Sequence, residues 1–546
     1  MFISNCVVLN LLESPAAVSN DVIGRRIDSS AESETNIRRT LSWLDSCLSG
    51  HPDCSVGSYP SRLKSWGTPL PTRVIRIVSS DGNLEINLHE PPATETGSYV
   101  ALSHCWGLHQ IITTTAMTFE DRKKDIPFSA LSKTFQEAVR TTVRLGIRYI
   151  WIDSLCIIQD SGSDWEYESS KMGLVYQNAI LTISASAASD GLKGCFFPRE
   201  SGGPQPVEIL YDKEGQCRKG GVYIQGRVPT LDEDLTQAPL NKRAWTLQER
   251  LLSKRILHCC ASQLYWECVT TCFSESGLEF PPAYGLPRIL EEPKKNKDII
   301  KDFQSPHWRW VRLLAVYSER ALTKDFDKLP ALSGLASEFA KRTGDEYLAG
   351  LWKQFLPVGL LWEVKNKAAS RRVPGRAPSW SWASVEGKLG ICQTPLRILT
   401  YIAEVVEAST TPLGVDKYGQ VRDGIIRLRT KVRGELFCGS ERSPLYVLKP
   451  DVANGFYPIR RSQEDPGVIG YFAPDDTTAP VGSKKTAVLI VESSEKFEKV
   501  TVNKYVVLFV EPVEGTSDSY HRIGTGIILS STKWFEEVAD QILTLL

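Results

Sequence analysis

An alternation of short apolar runs and amphipathic helices constrains the fold of this chain more than any other feature of its sequence. The apolar runs lie at residues 99–102, 147–152 and 179–185. Between them, residues 130–146 and 165–176 place apolar side chains at helical spacing. Strands that alternate with helices in this way predict a parallel sheet that is covered on both faces. The fold class expected for this part of the chain is therefore α/β.

The first helical segment also predicts its own ends. Thr134 and Glu137 have the spacing of a capping box, in which two side chains satisfy backbone N–H groups of the first turn. Gly146 suits the other end, because glycine readily adopts the left-handed conformation that terminates many helices.

Weaker patterns flank this region. Residues 35–47 have apolar positions at helical spacing, and two alternating runs on either side of the Ser-Asp-Gly at residues 80–82 predict a β-hairpin. Residues 191–230 are rich in glycine and proline, which predicts a long irregular insertion. A helix is expected at residues 243–252, followed by two short strands.

The C-terminal half of the chain has a different pattern. Residues 308–343 are expected to be helical, whereas beyond Pro374 short alternating runs such as TAVLIVE and KYVVLFVE predict mostly β-structure. The tryptophan-rich segment PSWSWAS at residues 378–384 is expected to pack in a core.

Charge and cysteine content narrow the classes of function. The 546 residues include 64 Lys and Arg against 64 Asp and Glu. A balanced chain has no general attraction to nucleic acid or anionic lipid, so neither is expected as a partner. The chain has no run of about 18 uncharged apolar residues, so no membrane span is expected. The first residues do not have the pattern of a secretion signal, so none is expected. The 13 scattered cysteines are then expected to be reduced thiols in the cytoplasm, with the nucleus as the alternative.

Three blocks of sequence carry a family resemblance. They are YVALSHCWG at residues 99–107, the block that begins RYIWIDSLCIIQD at residues 148–196, and RAWTLQERLLSKRILHC at residues 243–259, which QLYWEC at 263–268 continues. Their content and order resemble the heterokaryon incompatibility (HET) domain of fungi. Flanking segments extend the resemblance over nearly the whole chain.

The resemblance implies a domain organisation and a biological role. The expected regions are an N-terminal helical region (1–72), a HET domain (73–275), a helical connector (276–375) and a C-terminal β-rich region (376–546). Proteins of this family act in fungal self/non-self recognition and programmed cell death, a form of innate immunity. The implied partners are other incompatibility or signalling proteins and further copies of the chain.

The HET domain is itself similar to TIR domains, which have a flavodoxin-like parallel sheet. Some TIR domains cleave NAD at the nicotinamide–ribose bond with one glutamate, which lies four residues after a tryptophan at the start of a helix. Trp245 and Glu249 have this spacing. Asp153, after a predicted strand, resembles the acidic residue of the second TIR box, and Ser103 resembles the first box. The resemblance implies an NAD glycohydrolase with Glu249 and Asp153 as catalytic residues.

This chemistry fits the residue types. Departure of nicotinamide leaves positive charge on the ribose, as in glycoside cleavage, and a nearby carboxylate stabilises that charge. The rings of Trp106 and Trp151 could stack on a base or on nicotinamide. With Ser103 and Trp245 they are the expected ligand-binding residues, NAD is the expected substrate, and no resident cofactor is indicated.

The resemblance also makes a geometric prediction. Ligands of parallel sheets bind at the carboxyl ends of the strands. We therefore expect the carboxylates of Asp153 and Glu249, together with Trp106, to line one pocket of a few hundred Å3, the usual size for a small ligand. Glu249 is expected to be partly buried.

Each of these residues also has an ordinary structural explanation. Glu249 is adjacent to Arg250 and close in sequence to Arg243, and a glutamate on a helix beside arginines commonly forms an ion pair. Asp153 could cap the helix that follows its strand. The domain would then be a non-catalytic signalling module that acts by self-association or by binding a partner.

His104 and Cys105 raise a third alternative, a thiol-dependent hydrolase. Adjacent residues at a strand end point to opposite sides, which works against direct pairing of the imidazole with the thiol. The sequence identifies no acidic residue that would orient the histidine.

Two groups of cysteine and histidine resemble parts of zinc sites. The first contains Cys47, His51 and Cys54, and the second contains His258, Cys259, Cys260, Cys268 and Cys272. Structural zinc requires four ligands in paired short spacings. The first group has only three, and the second is irregularly spaced on strands whose alternate residues face opposite ways. No metal site is therefore predicted.

Overall fold

A computed structural model describes most of the chain. The described residues are 6–10, 24–25, 27–54, 68–80, 82–108, 111–199, 207–213, 216–226, 228–281, 300, 302–365, 370–391, 400–439, 456–461, 463–464, 468–477, 482–497, 500–530 and 533–546. The chain divides into two compact units, Met1–Pro287 and Arg288–Leu546.

The described part of the first unit contains seven α-helices. They are α1 (Glu34–Gly50), α2 (Phe119–Lys124), α3 (Lys133–Arg144), α4 (Asp153–Cys156), α5 (Gly162–Asn178), α6 (Leu231–Gln237) and α7 (Trp245–Leu252). Serine caps begin three of them: Ser33, Ser132 and Ser161 each accept a hydrogen bond from a backbone N–H of the first turn. These bonds satisfy donors that have no partner within the helix.

The start of α3 differs from the prediction. The cap is Ser132, and Thr134 lies inside the first turn. Glu137, which was predicted to complete a capping box, is buried and accepts hydrogen bonds from the backbone N–H groups of Cys195 (2.6 Å) and Phe196 (3.0 Å). The prediction of a capping box is therefore wrong, because Glu137 serves a distant loop instead of the helix end.

The first unit also contains fifteen described strands. They are β1 (Cys6–Asn10), β2 (Gly24–Arg25), β3 (Thr68–Pro69), β4 (Val74–Ser80), β5 (Asn83–His89), β6 (Thr96–Gly97), β7 (Tyr99–Ser103), β8 (Tyr149–Trp151), β9 (Leu181–Ser184), β10 (Val207–Lys213), β11 (Gln216–Gly226), β12 (Arg255–Cys259), β13 (Leu264–Cys268), β14 (Cys272–Ser274) and β15 (Glu279–Phe280). Strands β4 and β5 form the predicted hairpin.

Nine of these strands form the main sheet, in the order β15-β14-β13-β12-β9-β7-β8-β4-β5. The four central strands, β12, β9, β7 and β8, are parallel to one another, and the flanking strands pair antiparallel. Every residue of β7, β9 and β12 is buried. Strands that are buried on both faces have no polar alternation, which is why they read as continuous apolar runs. The α/β class is thus confirmed, with a mixed sheet.

The order of the four parallel strands reverses between β7 and β9. The chain passes from β7 to β8 on one side and then crosses to β9 on the other side of β7. The connections that follow β7 and β9 therefore lead towards opposite ends of the strand order, and the carboxyl ends of these two strands flank the point where the order reverses. Open α/β sheets bind ligands at such points.

The stretch predicted as an irregular insertion contains a hairpin. Strands β10 and β11 pair antiparallel, and β1 and β2 complete a four-stranded sheet with them. The prediction of irregular structure at residues 191–230 is wrong because glycines and prolines obscured two alternating runs. The N-terminal region, predicted as helical, contributes β1 and β2 to this sheet besides α1.

The second unit combines helices with a ring of strands. Its described α-helices are α8 (Pro306–Tyr317) and α9 (Ser333–Thr343). Its described strands are β16 (Tyr347–Leu348), β17 (Leu351–Trp352), β18 (Trp362–Val364), β19 (Arg371–Arg372), β20 (Val385–Glu386), β21 (Leu389–Ile391), β22 (Thr400–Tyr401), β23 (Glu404–Pro412), β24 (Val421–Cys438), β25 (Tyr457–Arg460), β26 (Val468–Pro474), β27 (Lys484–Phe497), β28 (Val500–Pro512), β29 (Ser519–Ser530) and β30 (Asp540–Leu545).

Six antiparallel strands of this unit close on themselves. The order is β27-β28-β29-β26-β25-β24, and β24 pairs back onto β27. Side chains such as Phe472, Leu489 and Phe509 form a buried core for these strands. Trp380 and Trp382 of the PSWSWAS segment are 0% exposed, so the expectation that they pack in a core is confirmed.

Among the residues that the structure describes, no helix combines the length and the apolar character needed to span a membrane.

Candidate active site

Ser103 and Glu249 meet at the carboxyl end of β7. Ser103 is the last residue of this strand, and Glu249 lies within α7. The Ser103 hydroxyl donates a hydrogen bond to Oε2 of Glu249. Both residues are buried, at 4% and 6% exposure. The fold thus joins two residues that are 146 positions apart in the sequence.

Burial controls the charge of Glu249. Removal from water raises the pKa of its carboxyl from 4.5 to about 7, because a buried carboxylate loses its hydration. The hydrogen bond from Ser103 and the positive charge of Arg243 oppose this rise, and the negative charge of Asp153 adds to it. The carboxyl therefore exchanges its proton near neutral pH, the range in which a catalytic acid or base is most effective.

Asp153 connects the ends of two neighbouring strands. It follows β8 as the first residue of α4, and its Oδ1 accepts a hydrogen bond from the backbone N–H of Ser154 at 2.7 Å. Its Oδ2 accepts a hydrogen bond from the indole Nε1 of Trp106, in the loop after β7, at 2.8 Å. The first bond is not a helix cap, because the N-cap position is occupied by Ile152 and no side chain caps this helix, so the alternative that Asp153 is the cap is wrong. The second holds Trp106, which remains partly exposed, beside the cluster.

Two residues that the sequence analysis did not assign to the site complete this cluster. Arg243, just before α7, donates from Nη1 to the backbone oxygen of His104. Tyr176 of α5 donates to the backbone oxygen of Leu102 at 3.1 Å, and its hydroxyl is among the groups that lower the pKa of Glu249. Both lie inside the family-like blocks. No local pattern, however, distinguishes them from ordinary surface and core residues.

The ion pair between Glu249 and Arg250 that the sequence offered as an alternative is not formed. Arg250 binds Glu267 instead, through Nε at 2.8 Å and Nη2 at 2.9 Å. His258 lies 2.8 Å from the same carboxylate through its Nε2. A bidentate bond of this kind satisfies the guanidinium. The carboxylate of Glu267 also holds His258 in a hydrogen bond. This engagement removes His258 from the second group of candidate metal ligands.

The structure disfavours Cys105 as the nucleophile of a thiol-dependent hydrolase. Cys105 is 6% exposed, and burial raises the pKa of its thiol to about 11. Thiolates are the reactive form, so burial disfavours the nucleophilic form of this thiol at neutral pH. The acidic neighbour that the sequence did not reveal is Asp153, whose Oδ1 lies 3.6 Å from Nε2 of His104. Burial lowers the pKa of this histidine.

The two remaining tryptophans differ in exposure. Trp151 is 1% exposed, and its ring packs edge-on against Tyr176 with centroids 5.8 Å apart. The prediction that Trp151 stacks on a ligand needs correction, because β8 is buried on both faces at this position and leaves the ring in the core. Trp245 begins α7 and is partly exposed.

A narrow cleft adjoins the cluster on the side of β9 and β12. Its volume is about 330 Å3 when the part open to solvent is counted. Its polar lining comes from Ser103, Thr182, Ser184, Ser186, Asn241, Thr246, Arg250 and His258. Asp153, Glu249 and Trp106 do not line this cleft. Of this cluster only Ser103 borders the cleft, and a shared pocket for the other three side chains stays a prediction.

The fold and the cluster define a class of protein: an α/β domain with polar and acidic side chains at the carboxyl ends of its parallel strands. Residues 99–249 match the model of the family described as Heterokaryon incompatibility protein (HET), so this segment is similar to that family. The match runs from the first residue of β7 to Glu249 and covers less than half of the chain. A search of the curated proteins found no match, and a search of the solved structures found none either.

Proposed function

We propose that the HET domain of this chain is a cell-death effector of fungal incompatibility and that it acts by cleaving NAD at the nicotinamide–ribose bond. The observation that carries the proposal is the hydrogen bond between Ser103 and Glu249. It assembles a buried carboxylate, from two separate family-like blocks, at the sheet edge where α/β proteins bind ligands. A carboxyl whose pKa is raised to about 7 is a typical feature of a functional site.

The strand order supports a TIR-like, flavodoxin-like arrangement of this domain. Numbered along the chain, the four parallel strands follow the spatial order 2-1-3-4, which agrees with the first four positions of the flavodoxin-like order. Trp245 at the start of α7 and Glu249 one turn later keep the spacing that the resemblance to catalytic TIR domains requires.

The proposed reaction breaks the bond between C1 of the ribose and the ring nitrogen of nicotinamide. The bonding electron pair leaves with the ring, which becomes neutral, and positive charge develops on the ribose. The ionised carboxylate of Glu249 stabilises this charge. Water then adds to C1 and loses a proton, which yields free nicotinamide and ADP-ribose.

Neighbouring residues take supporting roles in this proposal. Trp106 has exposed ring surface on which nicotinamide or a base can stack. Asp153 uses both carboxylate oxygens within the protein, so it acts as a positioning residue that holds Trp106. Ser103 orients the carboxylate of Glu249.

The burial of Glu249 implies an activation step. At 6% exposure its carboxylate meets no substrate until the side chains around it move. We infer that association with a second copy of the chain, or with another incompatibility or signalling protein in the cytoplasm, opens this edge of the sheet.

The same burial favours a second candidate function. A carboxyl enclosed by Ser103 and Tyr176 could serve only to hold α7 against β7. The domain would then be a non-catalytic module that signals through self-association or partner binding.

Expression in a fungal host separates the two functions. We expect inducible expression of the full chain to arrest growth and lower cellular NAD, and Glu249→Gln to relieve both effects, because it removes the charge and keeps the size. Glu120→Gln, on the exposed surface of α2, is the control and should remain toxic. Equal toxicity of a folded Glu249→Gln protein would exclude the catalytic function in favour of the signalling module, and a harmless wild-type chain would contradict the effector role.

A further inference from the structure

Four potential metal ligands converge in the first unit, away from the cluster around Glu249. Cys47 lies in the last turn of α1, His51 caps this helix, and Cys54 ends the short 3-10 turn Pro52–Cys54. Cys268 is the last residue of β13. The three sulfurs and a ring nitrogen of the histidine all lie within 4.8 Å of one another.

The spacing of these atoms fits a tetrahedral metal ion. The Nδ1 of His51 lies 3.5 Å from the Sγ of Cys268 and 3.8 Å from the Sγ of Cys54. Zinc bonds of about 2.3 Å to sulfur and about 2.0 Å to nitrogen place tetrahedral ligand atoms roughly 3.5–3.8 Å apart. These two distances match a tetrahedral site, and the remaining pairs of ligand atoms lie within 4.8 Å of one another.

Groups around the cluster are arranged to stabilise thiolates. The Nε of Arg255 donates a hydrogen bond to the Sγ of Cys47 at 3.2 Å, and the backbone N–H of Thr271 donates to the Sγ of Cys268 at 3.4 Å. The hydroxyl of Thr270 lies 3.4 Å from the Sγ of Cys54. Outer groups that donate to coordinating sulfurs are a regular part of zinc–cysteine sites.

We propose that Cys47, His51, Cys54 and Cys268 bind one Zn2+ ion. Three sulfurs and one imidazole suit zinc and are unsuited to magnesium or calcium, which take oxygen ligands. Four protein ligands leave no open coordination position, so the ion is structural. It fastens the end of α1 and the turn after it to β13, next to the strand that follows α7.

The fold supplies the fourth ligand, Cys268, which the sequence alone does not join to the other three. The sequence groups Cys47, His51 and Cys54 without a fourth ligand, and Cys268 belongs to the second, irregularly spaced group. His51 and Cys268 are 217 positions apart, so only the pairing of β13 within the sheet brings the fourth ligand to the other three.

Metal analysis of the full chain tests the proposal. Protein purified without chelators should contain about one zinc per chain by mass spectrometry of the metal. Cys268→Ser and Cys47→Ser should lose at least about four fifths of it. The control is Cys272→Ser, because Cys272 is equally buried on the next strand but lies outside the cluster. This variant should retain the zinc.

A second measurement needs no variant. Replacement of zinc by Co2+ in the wild-type protein should produce the intense near-ultraviolet bands of cobalt–thiolate bonds and the visible bands of a tetrahedral site. Metal-free wild-type protein, a disulfide among the three cysteines, zinc retained after Cys268→Ser, or a cobalt spectrum without thiolate bands would each overturn the proposal. None of these outcomes depends on NAD cleavage.

Discussion

The carboxyl group of Glu249 lies where its surroundings disfavour its negative charge. It is buried near Asp153, and the hydrogen bond from Ser103 and the charge of Arg243 only partly offset the loss of water. An ionised carboxylate at this position therefore lowers the free energy of unfolding. Groups that contribute to stability rarely have this property, whereas catalytic acids and bases often do.

This environment predicts a pH-dependent stability that originates in one residue. The pKa of Glu249 is about 7 in the folded protein and close to 4.5 when the chain is unfolded. Between these values the folded state binds more protons, so its stability falls as pH rises through this range and levels off above pH 7. Between pH 5 and pH 8 we expect the free energy of unfolding of the wild-type protein to fall by about 2–3 kcal/mol because of this residue. Glu249→Gln should abolish this fall.

Denaturant unfolding at several pH values measures this effect. The difference in unfolding free energy between the wild-type protein and Glu249→Gln should change with pH and favour the variant at high pH. Glu120→Gln, which alters an exposed carboxylate, is the control and should differ from the wild-type protein by a constant amount. A difference for Glu249→Gln that does not vary with pH would contradict the raised pKa.

Among the structural elements, the loop after β7 determines where Trp106 lies. Gly107 follows it with a φ of +73°, a conformation that L side chains rarely adopt. A Cβ at this position would overlap the side chain of Asp190 and lie 3.0 Å from its Cα. The glycine therefore allows the loop to approach the segment after β9, which keeps Trp106 within reach of Asp153.

A pair of glycine substitutions isolates this close approach. Gly146 has a φ of +75°, almost the same as Gly107, but a Cβ there would meet no atom within 4 Å. Gly107→Ala and Gly146→Ala then share the conformational cost of about 1 kcal/mol. Gly107→Ala should cost about 1–3 kcal/mol more, because an added carbon forces packed atoms apart. Equal unfolding free energies for the two variants would show that the loop is not tightly packed.

The elements that the sequence predicted are those with a strong local pattern. The parallel strands β7, β8 and β9 follow from continuous apolar runs, and helices α3 and α5 follow from apolar side chains at helical spacing. Both patterns are properties of the neighbouring residues alone. Strands β10 and β11 were missed because glycine and proline dominate their surroundings. Glu137 was misassigned because its partners, the N–H groups of Cys195 and Phe196, are remote in sequence.

On the scale of the whole molecule, contacts between distant segments decide what can be predicted. The family-like blocks identified Ser103, Asp153 and Glu249, and the fold brings them to one edge of the sheet. Neither the shape of the cleft nor the contribution of Tyr176 could be predicted, because both depend on how helices pack over the strand ends. For the same reason, the fourth ligand of the proposed zinc site could not be predicted from the sequence.

Release of nicotinamide by the purified full chain tests the central proposal most directly. The protein is incubated with NAD, alone and fused to a domain that forces it to associate, and nicotinamide is followed by chromatography. Association should raise the rate, and Glu249→Gln should reduce the rate of the associated protein by at least about 100-fold, the scale on which positioned acid–base groups contribute. Nicotinamide release that persists in Glu249→Gln, or that is absent from the associated wild-type protein, would contradict the assignment of NAD cleavage to this site.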